Sequence, residues 1–183
     1  MGKYKLNPDD SVLVIIDLQE KLMNVMKDKD KVYKNTNLLL STAREFGIPV
    51  VLSEQYPRGL GPTVAEIKEN LPPEYNYLEK KSFSLCGAGI YEILTKLGKK
   101  SVIVCGSETH ICVFQTVRDL VEAGYDVHLV RDAVCSRFDE NYNNSLALMA
   151  ELGAVVTNTE TVVFDLLGCA GTPHFKAISP LVK

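Results

Sequence analysis

Four times along the chain an amphipathic stretch runs into a glycine and is followed within a few residues by a β-branched run, a repeat that restricts the possible folds sharply. The instances are Phe46-Gly47 before Pro49–Ser53, Leu97-Gly98 before Ser101–Cys105, Ala123-Gly124 before Tyr125–Val130, and Leu152-Gly153 before Ala154–Thr157. Glycine relieves left-handed strain at a helix C-terminus, and the run after it has the composition of a strand buried on both faces. The stretches ahead carry a helical stripe: Val113, Val117, Leu120 and Val121 share one face, as do Ile90, Ile93, Leu94 and Leu97. With Val12–Ile16 added at the start, strands and helices alternate. Right-handed crossovers turn that alternation into an α/β, three-layer Rossmann-like fold, a mostly parallel sheet flanked by helices on both faces. A further short strand is predicted near Tyr77–Glu79.

The 183 residues, 46% of them apolar, suffice for one continuous core, and no Pro-, Gly- or Ser-rich linker divides them, so residues 1–183 are expected to form one domain. No run approaches the length of a membrane span, and residues 1–10 lack the apolar segment of a signal peptide. No membrane partner and a cytoplasmic location are expected. Five cysteines, at 86, 105, 112, 135 and 169, form neither a disulfide framework nor a zinc motif and fit a reducing compartment. A net charge of −3 with mixed-sign runs offers no basic footprint for a nucleic acid, so none is expected as a partner.

In an open α/β sheet the ligand lies outside the carboxyl ends of the strands, and those positions are polar here. They are Asp17, then Glu54 and Gln55, then Lys80, then Gly106–Cys112, then Arg131 and Asp132. Cys112 precedes a helical stripe that starts at Val113; amide donors and the dipole at a helix start favour thiolate, so a depressed thiol pKa and a nucleophilic sulfur are expected. A small buried core residue is the alternative reading, and it suits Cys105 and Cys86 better. Cys135 and Cys169, near loop ends, are secondary nucleophile candidates. The three histidines at 110, 128 and 174 make poor base partners, because His128 is mid-strand, His174 lies in the tail and His110 points to another face. Asp17 is a candidate base and Lys80 a candidate charge partner, with a turn carboxylate and a solvated lysine as the respective alternatives.

The segments Val12–Gln19, Lys80–Ser84 and Gly106–Val113 together resemble the three ordered motifs of the isochorismatase-like cysteine hydrolase family. Within it, Glu54–Thr63 and Asp132–Arg137 resemble the isochorismatase domain-containing protein subgroup. The resemblance implies a catalytic triad of Asp17, Lys80 and Cys112. Lys80 is preferred to Lys81 because it stands four residues before Ser84. It implies an oxyanion site built from the backbone N–H groups of Cys112 and Glu108, a cis peptide between Ser107 and Glu108, and substrate-binding roles for Gln19 and Phe83.

The implied activity is hydrolysis of a small molecule at an amide-like C–N bond through a thioester. Residues 53–56 lack the aspartate and histidines with which nicotinamidases bind a metal, so no metal and no cofactor are expected. A homo-oligomer is implied, with Ala133–Cys135 and Phe164–Leu167 as candidate interface segments. Two other classes compete with this reading. One is a non-catalytic binding or scaffold protein on the same fold. The other, a nucleotide-binding Rossmann protein, is opposed by Asp17-Leu18-Gln19-Glu20 standing where a glycine-rich turn is needed.

Overall fold

The computed structural model of the protein describes residues 2–182. The strands are β1 (Ser11–Ile16), β2 (Val50–Gln55), β3 (Asn76–Lys80), β4 (Ser101–Ser107), β5 (Asp126–Cys135) and β6 (Val155–Thr157). They form one six-stranded sheet in the order β3-β2-β1-β4-β5-β6, and every neighbouring pair is parallel. The mostly parallel sheet expected from the sequence is thus wholly parallel.

The two-residue period of β1 explains the layers. All of Ser11–Ile16 is buried. Leu13 and Ile15 pack with Leu39, Leu40 and Ala43 of the Lys29–Phe46 helix and with Val162 and Leu166 of the Thr159–Leu167 helix. Val12, Val14 and Ile16 pack on the other side, with Ile90 and Leu94 of the Ile90–Leu97 helix, Val117 and Leu120 of the Phe114–Glu122 helix, and Met149 of the Asp139–Glu151 helix. Alternate side chains therefore feed two cores, one per face of the sheet. Gly47, at φ 66°, ends the Lys29–Phe46 helix as the sequence predicts.

Three strands run further than their apolar runs suggest. β2 continues through Glu54 and Gln55, β4 through Gly106 and Ser107, and β5 through Cys135. The last two extend together: the β4–β5 register shifts between Val104 and Gly106, and pairing then resumes at Gly106 with Val134 and Ser107 with Cys135. Ala133, Val134 and Cys135 are consequently buried within the sheet, so this segment does not supply the exposed interface expected of it, nor Cys135 an exposed thiol. Phe164, by contrast, is 42% exposed, whereas Leu166 and Leu167 are buried. Among the described residues no helix is long and apolar enough to cross a membrane.

Strand order reverses between β1 and β4, where parallel sheets open a crevice at their carboxyl ends. Gly106 lets the two strands meet there. It pairs with Ile16, its φ is 125°, and a Cβ on it would lie 2.0 Å from the Ile16 carbonyl oxygen. Neither that conformation nor that space admits a side chain. Gly106→Ala is therefore expected to lower unfolding free energy by more than about 4 kcal/mol, in the range reserved for severe core and backbone conflicts. Urea denaturation of the variant checks this, and an unchanged midpoint would mean the strands can part without loss.

Candidate active site

Asp17, the first residue past β1, is held from both sides. Its N–H donates to the Ser53 carbonyl at the end of β2 at 3.2 Å, and its own carbonyl accepts from Ser107 Oγ of β4 at 2.8 Å. These contacts fix a backbone with φ 48°, a left-handed conformation uncommon outside glycine. The side chain is then aimed inward. Oδ1 accepts from Ser53 Oγ at 2.7 Å, and Oδ2 accepts from Lys80 Nζ at 2.6 Å. Lys80 ends β3 and reaches across β2, where Nζ also donates to Gln55 Oε1 at 2.7 Å. The ion-paired side chains of Lys80 and Asp17 are both 0% exposed.

Cys112 arrives from the other side of the crevice. After β4 the Ser107–Glu108 peptide is cis, as the resemblance implied. A five-residue π-helical turn, Thr109–Val113, then precedes the Phe114–Glu122 helix. The sequence stripe begins at Val113 as expected, but Cys112 sits in this wider turn rather than in ordinary helix. Such turns are rare and are often found at functional sites. The sulfur lies 4.0 Å from Gln55 Oε1, the same oxygen that accepts from Lys80 Nζ, and the charges of Asp17 and Lys80 both act on it. The three residues singled out from the sequence thus meet at one place.

The expected depression of the Cys112 thiol pKa is not what the surroundings produce. Burial pushes the thiol up to about 12, with the Asp17 carboxylate adding to the rise and Lys80 opposing it. The ammonium of Lys80 is already committed to Asp17, so the sulfur feels a nearly neutral pair, and desolvation of the thiolate outweighs any benefit of its turn. These surroundings favour the thiol over the thiolate.

Gln19 is fully buried, and its amide is spent on the backbone: Nε2 donates to the carbonyls of Gln55 at 3.1 Å and Gly61 at 2.6 Å, while Oε1 accepts from the Gln55 N–H at 2.7 Å. It clamps the end of β2 instead of presenting a group to a ligand. The Glu108 carboxylate is engaged by Arg137, from both the backbone N–H and Nε at 3.1 Å, which leaves the Glu108 backbone for any role at the site. Phe83 lies past β3 and is half exposed. Glu54 is a structural carboxylate: Oε1 accepts from Thr63 N–H and Oγ1, and Oε2 accepts from Tyr77 OH. Among the described residues no three His, Cys, Asp or Glu side chains gather as a metal site. Sequence reasoning missed Ser53, Ser107 and the contacts of Gln55. The visible signal was a serine inside the apolar run of β2.

Two variants probe this arrangement. Lys80→Met leaves a buried carboxylate without its partner and is expected to cost about 3–5 kcal/mol in chemical denaturation. In Asp17→Asn the carboxylate that raises the thiol is gone and Lys80 acts on the sulfur alone. Its iodoacetamide alkylation profile is expected to shift down by about one pH unit or more from wild type, which itself should show a midpoint above the free-cysteine value of about 8.5. A wild-type midpoint below that value would contradict a resting thiol.

Comparison with known proteins agrees with this architecture. The isochorismatase domain model matches residues 11–161. The secreted isochorismatase effector Isc1 of Phytophthora sojae is 41% identical over 98% of this chain and 87% of its own length. The structure of the MAR1 ribonuclease of Caenorhabditis elegans superposes with a TM-score of 0.92 at 36% identity, covering 97% of this chain and 92% of that one. That of YcaC from Pseudomonas aeruginosa, with hexane-2,5-diol and covalent acrylamide, gives a TM-score of 0.90 at 26% identity, covering 99% and 93%. The chain belongs to the isochorismatase domain family and is an isochorismatase-like hydrolase acting on a small molecule.

Proposed function

We propose that the protein is a cysteine hydrolase that cleaves an amide-like C–N bond in a small molecule, with Cys112 as nucleophile, Asp17 as proton acceptor and donor, and Lys80 as the charge that steadies both. The observation that carries this reading is the buried Asp17–Lys80 pair, joined at 2.6 Å, facing the Cys112 thiol. A buried carboxylate is costly to keep charged unless it is paired and hydrogen-bonded, and here each oxygen accepts one bond, from Ser53 Oγ and from Lys80 Nζ. Asp17 is then a desolvated base held beside a thiol that needs one.

In the first step the Cys112 proton passes to Asp17 as sulfur bonds to the acyl carbon. The electron pair of the carbonyl moves to oxygen, where the backbone N–H groups of Cys112 and Glu108 are the proposed donors. Collapse re-forms the carbonyl and breaks the C–N bond, and Asp17 returns the proton to the departing nitrogen. Water, deprotonated by Asp17, then attacks the thioester; the acid leaves and the thiol is restored. Lys80 keeps its contact with Asp17 throughout, and Gln19 holds the β2 end against which both are aligned. Phe83, exposed past β3, is the proposed apolar contact for substrate.

The covalent acrylamide on YcaC supports a soft nucleophile in this family, since acrylamide is a thiol-reactive amide. The ribonuclease name of the C. elegans neighbour raises RNA as a competing substrate. The net charge of −3 and the near-complete burial of Cys112 favour a small uncharged substrate over a polyanion. We place the chemistry in one domain of a cytosolic homo-oligomer; five free cysteines suit a reducing compartment, and exposed Phe164 suits an interface.

Turnover across small amides, ureides, imides and a short RNA, wild type against Cys112→Ala, tests the reading. Hydrolysis of at least one amide-like compound is expected, with a loss on the order of a thousandfold or more in the variant. Full activity in Cys112→Ala, or cleavage of RNA alone, would overturn it.

A further inference from the structure

Gln55 occupies a position that the catalytic reading above leaves without a task. Its backbone is clamped by Gln19 at both N–H and carbonyl, and its side-chain Nε2 donates to the Lys81 carbonyl at 2.9 Å. That last bond fixes which way the amide faces. Oε1 is turned inward, where it accepts from Lys80 Nζ at 2.7 Å and lies 4.0 Å from Cys112 Sγ. The oxygen is the negative end of the amide dipole. Pointed toward sulfur, it can accept a hydrogen bond from a thiol and disfavours a thiolate.

It also draws on Lys80. An ammonium has three donors, and here Asp17 and Gln55 take two of them. Of the charged groups near Cys112, Asp17 and Lys80 act directly on the sulfur. Glu108, on the same turn, is neutralised by Arg137, and His110 faces Ser136 Oγ at 3.0 Å and Asn141 Nδ2 at 3.4 Å. Gln55 is thus the uncharged group placed to tune the balance between Asp17 and Lys80.

We propose that Gln55 is a positioning residue that keeps Cys112 a thiol at rest, its carbonyl oxygen accepting from the sulfur side and holding back part of the Lys80 ammonium. The inference rests on Cys112 being the nucleophile, and it adds a reason for the enzyme's reserve: sulfur gains its negative charge only as Asp17 removes the proton during attack.

The experiment follows Cys112 itself. Iodoacetamide forms the S–C bond, expels iodide and releases the thiol proton to solvent, and mass analysis of the Cys112 peptide separates it from the other cysteines. Gln55→Met removes the inward dipole and frees Lys80, so Cys112 alkylation at neutral pH is expected to rise about tenfold, one unit of thiol pKa. Gln55→Glu keeps shape and oxygen but adds charge, and alkylation is expected to fall by a similar factor. A residue that merely supported the fold would move both variants the same way.

Shifts of the same sign, or none, overturn the proposal. If Gln55→Met fails to fold, as thermal unfolding would reveal, Gln55→Glu decides alone: slower alkylation supports the proposal, and unchanged or faster alkylation overturns it. Hydrolysis by Cys112→Ala keeps the two ideas apart. An active Cys112→Ala refutes the nucleophile and, with it, this role for Gln55; an inactive one beside unmoved Gln55 variants refutes only the role of Gln55.

Discussion

The ion pair between Asp17 and Lys80 is the interaction on which the site depends. Both side chains are wholly withdrawn from water. Removing two charges from solvent costs several kcal/mol each, and attraction alone seldom offsets that unless the remaining lone pairs and protons are also satisfied. Here Ser53 Oγ adds a second hydrogen bond to Asp17 and Gln55 Oε1 a second acceptor to Lys80. An apolar pair of the same volume would hold three strand ends together at least as well. What it could not do is keep a carboxylate beside a thiol in a dry environment.

The sheet topology brings this pair to the sulfur. Asp17 and the Gly106–Cys112 segment leave adjacent strands at the point where strand order reverses, and Lys80 comes from β3, two strands away from β1. The long lysine side chain spans the intervening end of β2. The close approach of β4 to β1 is equally demanding, since the Ile16 carbonyl occupies the place a Cβ on Gly106 would take. The geometry of the candidate site and the packing are therefore set by the same few backbone contacts.

Much of this was legible in the chain because it rests on local rules. Glycine stops, β-branched runs and helical stripes suffice for the layers; the rule that ligands meet strand ends marks Asp17, Lys80 and the Gly106–Cys112 segment among other polar positions, and the family resemblance selects the three. The parts that escaped depend on contacts between distant segments. The extension of β4 and β5 through Ser107 and Cys135 follows from their mutual pairing past a register shift, which no local pattern in either strand announces. Gln19 stands two residues after Asp17, and the resemblance implies a substrate-binding role for it, yet its partners are the backbones of Gln55 and Gly61, 36 and 42 residues away. The thiol pKa failed for a related reason: a helix start favours thiolate by its dipole, but burial arises only from the whole fold.

A thiol that resists ionisation at rest suits a hydrolase whose base is a carboxylate. A free thiolate beside a protonated acid would react with any electrophile that entered. In the proposed mechanism, with Cys112 held as thiol, a substrate carbon is placed for attack while Asp17 takes the proton, so bond formation and proton transfer occur together. Selectivity then comes from positioning rather than from intrinsic sulfur reactivity. The same proton, stored on Asp17, is available for the departing nitrogen one step later. Amines and amide-like nitrogens leave poorly as anions, and a desolvated carboxylic acid next to the scissile bond meets that need. The proposed C–N cleavage is the reaction that uses such a proton; transfer from an already activated ester requires none.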